Sequence, residues 1–398
     1  MLPRPLVRLP VPARRSSCAA GFAAVALLLG GLGGGAARAD VPPPDPVAKR
    51  PAPVRKLIDL ALCLDTSGSM QGLVAAARQR LWEVVNELAT AQPAPTLRVA
   101  LLTFGSEGSE ADGYVVVRTP FTTDLDLVSE KLFALGTDGG TEYVGRVVKT
   151  AVDRLQWSGP DAAKILFVAG NESADQDRTA PFREVVKHAY GLGVRVNAIY
   201  CGNPDDGDAP LWREVAVVGQ GRFAAIDHNH GVVAVASPFD ADLAELSRKL
   251  NGTYLAYGEK AKDLLDRQTA QDANAAPSAP AAAGRAASKA GALYDNRGWD
   301  LVDKSREEGF DLAKVPAEEL PEEMKSMTPA QRQAHLTTKT AERAALVAKV
   351  KDLDAKRTAF VKAEMAKQGL DDSKSLDRAI RDAVREQAGA AGFTFPAR

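Results

Sequence analysis

The sequence lacks the marks of an enzyme that works by nucleophilic or phosphate chemistry. Its 398 residues hold no Gly-x-Ser-x-Gly elbow and no phosphate-cradling P-loop. Ser67, in "TSGSM", has no base implied near it, so a nucleophilic serine is not expected. Histidines number only four. The run "DHNH" (Asp227–His230) would suit a zinc or nuclease site, but the further spaced His and Asn residues of a nuclease are missing, and it reads as a polar loop. His188 falls within a helical pattern and His335 within a charged one, both as surface residues. Cysteines number three, and Cys18 lies in a segment read below as removed. That leaves Cys63 and Cys201, which an oxidising compartment would invite to pair. No basic stripe with interleaved aromatics occurs, so nucleic acid is not an expected partner. "GNPDDGD" (Gly202–Asp208) is acidic but lacks the twelve-residue spacing of an EF-hand, and reads as a solvated turn.

What is present is ordinary for a globular protein: 45% hydrophobic and 25% charged residues, which excludes a wholly disordered or membrane-embedded chain. The length allows one sizeable core and an accessory region. Arg4, Arg8, Arg14 and Arg15 precede an apolar, Gly-rich run from Cys18 to Ala37, and Ala37-Arg38-Ala39 offers small residues for cleavage. Residues 1–39 therefore read as a signal peptide. The expectation is an exported protein, periplasmic or otherwise in the cell envelope or secreted, with no membrane span once the signal is gone. The segment carries five arginines and no acids, so the remainder is five charges more negative than the whole chain's formal −1. Residues 40–55 hold six prolines and read as an extended tether.

From Leu57 to Asp227, strand and helix signals alternate. Leu57–Leu64 is an almost continuous apolar run, the mark of a strand buried on both faces. Gly72–Leu88 has helical apolar spacing. Leu97–Gly105 and Tyr114–Phe121 read as a hairpin, Leu125–Leu135 and Tyr143–Leu155 as helices, and Lys164–Gly170 as a second buried strand. A helix over Phe182–Leu192, a strand over Val194–Gly202, a helix over Leu211–Val218 and a strand over Arg222–Asp227 complete the alternation. Such a series specifies an α/β, doubly wound and mainly parallel sheet, with one antiparallel strand from the hairpin at its edge. Beyond it, Pro238–Leu250 reads as a helix, and Gly252–Gly258 ("GTYLAYG") as a short strand extending or clipping onto the sheet. These bounds give a domain over 56–258, an Ala-rich connector over 259–327 and a charged helical tail over 328–398. Gln268–Ala290, with Pro277 and Pro280, is either a broken weak helix or a linker. Within the long helix Thr328–Gln368, Leu346, Val350, Leu353 and Phe360 form a stripe interrupted by Arg357. That face suits solvent first and a coiled coil second, with oligomerisation through the tail as its corollary.

Ligands in open α/β sheets bind beyond the carboxyl ends of the strands. There, "DTSGSM" places Asp65, Ser67 and Ser69 at alternate positions, with Gly68 allowing the turn. Hard divalent cations take oxygen ligands, and Mg²⁺ keeps open positions for water or a partner's carboxylate. A second segment, "GTDGGTEYVG" (Gly136–Gly145), puts Thr141 after two glycines, able to swing over the same cation. The bland alternative is a Ser/Asp turn capping the next helix, which explains Asp65 but not the second loop.

Asp65, Ser67 and Ser69 match the D-x-S-x-S signature of von Willebrand factor A (vWA) domains, and Gly139-Gly140-Thr141 is similar to their threonine loop. The order of elements from Leu57 to Asp227 also resembles that Rossmann-like fold. The chain as a whole is similar to a group of exported bacterial vWA proteins, a likeness that brings no reaction with it. The resemblance implies a metal-ion-dependent adhesion site, in which a partner's Asp or Glu completes the coordination of Mg²⁺, Mn²⁺ or Ca²⁺. The expected partner is thus a protein or peptide with an exposed acidic residue. One departure stands out: where the family carries Thr-Asp-Gly after its fourth strand, this chain has Ala169-Gly170-Asn171. Asn171, Glu172 or Asp138 would have to replace the missing carboxylate. If none does, a structural scaffold with a degenerate site and a recognition role in the tail is the alternative. The family's strand order also places the fourth strand between Cys63 and Cys201. Two steps of about 4.8 Å separate their backbones by roughly 9–10 Å, beyond the about 7 Å a disulfide allows. Two buried free thiols are expected, and no catalytic role.

Overall fold

The structure, a computed structural model, describes residues 56–226, 235–369 and 376–397. The signal peptide, the tether and the Asp227–His230 loop lie outside the described residues. Strands β1 (Leu57–Asp65), β2 (Thr96–Phe104), β3 (Val115–Thr122), β4 (Ala163–Gly170), β5 (Val194–Tyr200) and β6 (Gln220–Ala225) form one sheet in the order β3-β2-β1-β4-β5-β6. All neighbours are parallel except β2 and β3, the hairpin, which puts its antiparallel strand at the edge. β1 is central, and its side chains alternate between two cores as a doubly covered strand must. Ile58, Leu60, Leu62 and Leu64 enter one core, and Ala61 and Cys63 the other.

Helices α1 (Gln71–Ala89) and α2 (Leu125–Phe133) pack on the first face, while α3 (Val144–Arg154), α4 (Phe182–Gly191) and α5 (Ala209–Val218) cover the second. Their bounds all lie within two residues of the sequence expectation; α5 starts two residues earlier than expected, at Ala209, with Pro210 as a first-turn proline. Cys63 of β1 and Cys201, the residue after β5, are buried and free, and β4 lies between those two strands.

Beyond β6 the chain departs from the sequence reading. Helix α6 (Asp240–Asn251) forms as expected, but Gly252–Gly258 adds no strand to the sheet. Only an isolated bridge joins Ala256 to Asp300. The Ala-rich stretch is two helices, α7 (Ala261–Ala275) and α8 (Ala279–Lys289), broken at Pro277, with Ser278 capping the second. It is not a loose linker. Small residues let α8 lie close to its neighbours: Ala283 and Ala286 are fully buried, and the Gly284 carbonyl accepts from Asn86 Nδ2 of α1 at 2.9 Å.

Two short helices, α9 (Leu301–Lys304) and α10 (Glu322–Lys325), lead into the 40-residue α11 (Pro329–Gln368), opened by a Thr328–Gln331 capping box. The apolar stripe of α11 docks on its own chain. Val350, with Leu346 and Leu353, packs on Leu243, Leu246 and Leu250 of α6 and on α8, and Phe360 meets Phe239 edge to face. Arg357 does not interrupt this seam, because it pairs with Asp240 at 2.9 Å. Arg343, on the same charged helix, is buried against Asp300, Asp303 and the Tyr254 ring.

The last helix, α12 (Leu376–Ala390), returns to the sheet beside α1, and Ile380, Ala383, Val384 and Ala388 complete the first core. Asn197 of β5 and Gln387 of α12 exchange two buried hydrogen bonds, of 3.1 and 2.6 Å. Thr394 then pairs backbone to backbone with Gln92. A boundary at Gly258 therefore leaves out part of the sheet's own cover.

Candidate functional site

β1 carries two buried aspartates whose surroundings differ completely. Asp59, toward the start of the strand, has both oxygens engaged. Arg98 donates to each at 2.8 Å, and the Ser158 amide and hydroxyl donate at 2.6 and 3.1 Å. Asp65, at the carboxyl end, accepts from the Ser67 amide on Oδ1 at 2.8 Å, while its buried Oδ2 has no partner. A buried acceptor left unpaired is costly and calls for a ligand or an ion. Burial pushes the Asp65 carboxyl up to about 7 against the pull of the Ser67 amide and hydroxyl, and the charges of Glu142 and Glu172 push the same way.

The loop after β1 runs through one 3₁₀ turn, Gly68–Met70, into α1. Neither start has a side-chain cap, so the serines are not spent as helix caps. Ser67 Oγ lies 3.4 Å from Ser69 Oγ, and Asn171 Nδ2 donates to Ser69 Oγ at 3.1 Å. Asn171 thus joins the first-loop residues across the carboxyl end of β4.

Backbone contacts bring the threonine loop to the same place. The Asp138 amide donates to the Thr66 carbonyl at 3.1 Å, and Ser67 and Asp138 form a parallel bridge. Gly140 and Gly105 touch backbone to backbone, a Cβ on Gly140 falling 2.0 Å from the Gly105 oxygen. Thr141, half-buried, follows directly. The Asp138 carboxylate accepts from the Glu107 amide on Oδ1 at 3.1 Å. Glu172 is exposed, and its carbonyl accepts from Trp212 Nε1 at 2.8 Å. Of the expected residues, Asp65, Ser67, Ser69 and Asn171 are linked by hydrogen bonds, Thr141 follows the clamped Gly140, and one Asp138 oxygen is taken by the Glu107 amide.

Glu142 is the residue that sequence reasoning missed. It is half-buried, and its Cγ packs over Gly105 beside Asp65. Burial raises its carboxyl, with the Glu172 charge adding and a Gln176 hydrogen bond opposing. The signal was an acid immediately after Thr141.

The carboxyl end of β4 explains the glycine that stands there. A Cβ on Gly170 would come 2.9 Å from Asp65 Oδ2, 3.1 Å from Asp65 Cβ and 3.2 Å from Trp212 Cη2. Gly170→Ala is expected to lower stability by about 1–3 kcal/mol through overpacking, read as a shifted urea midpoint. An unchanged midpoint would mean that Asp65 moves aside freely.

An open, mainly parallel sheet with a carboxylate and hydroxyls gathered at the carboxyl end of its central strand is the class this chain belongs to. Residues 59–211 match the von Willebrand factor type A domain family, and the chain carries a vWA domain. No curated protein matches the sequence. Among solved structures it is similar to a von Willebrand factor type A protein from Catenulispora acidiphila, at 17% identity and a TM-score of 0.34, over 43% of this chain and 39% of that one. The pilus adhesin SpaC from Lactobacillus rhamnosus GG is similar at 14% identity and a TM-score of 0.34, over 53% of this chain and 30% of that one. Proximal thread matrix protein 1 from the mussel byssus, with its MIDAS motif occupied by zinc, is similar at 12% identity and a TM-score of 0.33, over 43% of this chain and 42% of that one.

Proposed function

We propose that the vWA domain binds a divalent cation, Mg²⁺ or Mn²⁺ before Ca²⁺, at its sheet crest, and through it captures an acidic side chain of a protein or peptide partner. The observation that carries this reading is the unpartnered, buried Oδ2 of Asp65 beside Ser67. Ser67, Ser69 and Thr141 add neutral oxygens from two loops held together by the Thr66–Asp138 backbone contact. A bound ion would offer the partner's carboxylate an electrophilic coordination position. The protein's part is to fix those oxygens and keep the rim open. The role is recognition, not catalysis. The arginine-rich N-terminal segment supports an exported location, and no described helix is long and apolar enough to cross a membrane.

A second reading is favoured by one observation: among the described residues no group of three His, Cys, Asp or Glu side chains could hold a metal by itself. With Gly170 supplying no carboxylate, the domain would then be a scaffold. Calorimetric titration of Mg²⁺ and Mn²⁺ into wild type and Asp65→Ala separates the two. Binding in wild type and its loss in the variant is expected; no binding in either supports the scaffold. Pull-downs from envelope extract, with and without chelator, extend the test to the partner.

A further inference from the structure

Gly105 lets three side chains of the site crowd against one stretch of backbone. Its φ of +82° is one that L side chains rarely adopt, and a side chain there would collide with them. A Cβ there would stand 2.9 Å from Asp65 Oδ1, 3.5 Å from Ser67 Cβ and 3.2 Å from Glu142 Cγ. Asp65 and Ser67 of the first loop and Glu142 of the threonine loop thus converge on the same glycine. Glu142 follows Thr141 in a loop clamped to Gly105, and that clamp brings its Cγ against the Gly105 backbone. Oδ1 of Asp65 is the oxygen on this side, while the unpartnered Oδ2 is buried toward Gly170, 2.9 Å from where a Cβ on that glycine would stand.

We propose that Glu142 supplies the second carboxylate of the cation site, taking over the charge that Gly170 does not provide. The inference rests on reading the crest as a cation site and names the residue that sets its affinity. With Asp65 and Glu142 both ionised, a divalent cation is charge-balanced before a partner arrives. With Asp65 alone, one positive charge remains over. Glu172 is the control, since it lies nearby but is exposed and contributes only through its field.

Mn²⁺ is titrated calorimetrically into the full chain as wild type, Glu142→Gln, Glu142→Asp, Glu172→Gln and Asp65→Ala, with thermal midpoints in chelator showing that each is folded. The expected result is Mn²⁺ affinity at least ten-fold weaker in Glu142→Gln, less than three-fold changed in Glu172→Gln, and partly recovered in Glu142→Asp. Wild-type binding with Glu142→Gln unaltered overturns this inference and leaves the proposed function standing. Equal weakening in Glu142→Gln and Glu172→Gln also overturns it, because the effect is then a general field. Absence of binding in wild type removes the cation site itself. If Glu142→Gln does not fold, Glu142→Asp decides: affinity equal to wild type, despite the shorter reach, sinks direct ligation.

Discussion

Replacing Arg285 by methionine is expected to destabilise the protein by about 3–5 kcal/mol, the range for removing one member of a buried ion cluster. Arg285 is 1% exposed and sits on α8 between the rings of Trp82 and Tyr294, 4.4 and 4.9 Å from their centroids. It meets Asp126 of α2 at 2.6 Å and Asp272 of α7 at 2.9 Å. Lys289 completes the set, 2.7 Å from Asp272, and burial lowers its pKa to about 8. Two cations thus face two carboxylates, and removing Arg285 leaves Asp126 and Asp272 with Lys289 alone. Apolar contact with Trp82 is kept by methionine, so the loss reports charge more than packing. The check is urea unfolding of Arg285→Met, Asp126→Asn and the double variant. The double should be less destabilised than the sum of the singles, because each single leaves an unmatched buried charge. A loss under about 1 kcal/mol would show the cluster to be solvated.

That cluster also shows where a sequence becomes illegible. The central sheet was readable because its signals are local: an apolar run for β1, alternation and a short loop for the hairpin, helical spacing for α1. Asp65, Ser67 and Ser69 were readable because one strand end and one turn place them. Arg285, Arg343 and Arg357 could only be read as surface charges, since their partners lie at Asp126, Asp300 and Asp240, tens of residues or more away. An arginine is buried only if a carboxylate meets it, and no spacing rule reports that meeting. The stripe of α11 was likewise visible as a stripe, but its occupant, α6 with α8 instead of a second chain, was not. Gly252–Gly258 has strand composition but no strand beside it, and β-propensity without a pairing edge does not make a strand. Asp138 was a fair candidate by position, yet its carboxylate goes to the Glu107 amide. Glu142 was passed over because its place in the site depends on how Gly140 and Gly105 touch.

In chelator, the wild type should lose stability as pH rises from 4 to 7, relative to Asp65→Asn, by an amount on the order of 4 kcal/mol at most. The sign follows from the burial of Asp65. Its carboxyl titrates near 3.8 when unfolded and is pushed up to about 7 in the fold. Between those values the folded state binds the proton that the unfolded state has released, so each step upward in pH favours unfolding. The stabilisation is complete below the unfolded value and gone once pH passes the folded one. An asparagine at 65 has no proton to lose, and other carboxylates cancel in the comparison. Magnesium reverses the slope if the crest binds it, because the ion stabilises the ionised carboxylate and adds binding free energy to the folded state. Thermal midpoints of both proteins at pH 5 and pH 8, with chelator and with Mg²⁺, resolve these effects in one experiment. Relative to Asp65→Asn, the wild type should fall between pH 5 and pH 8 in chelator and recover with Mg²⁺ at pH 8, while Mg²⁺ leaves the variant's midpoint unchanged. If the wild type is as flat as the variant in chelator, Asp65 is solvated or already hydrogen-bonded. The unsatisfied oxygen at the crest, on which the cation reading depends, is then not there.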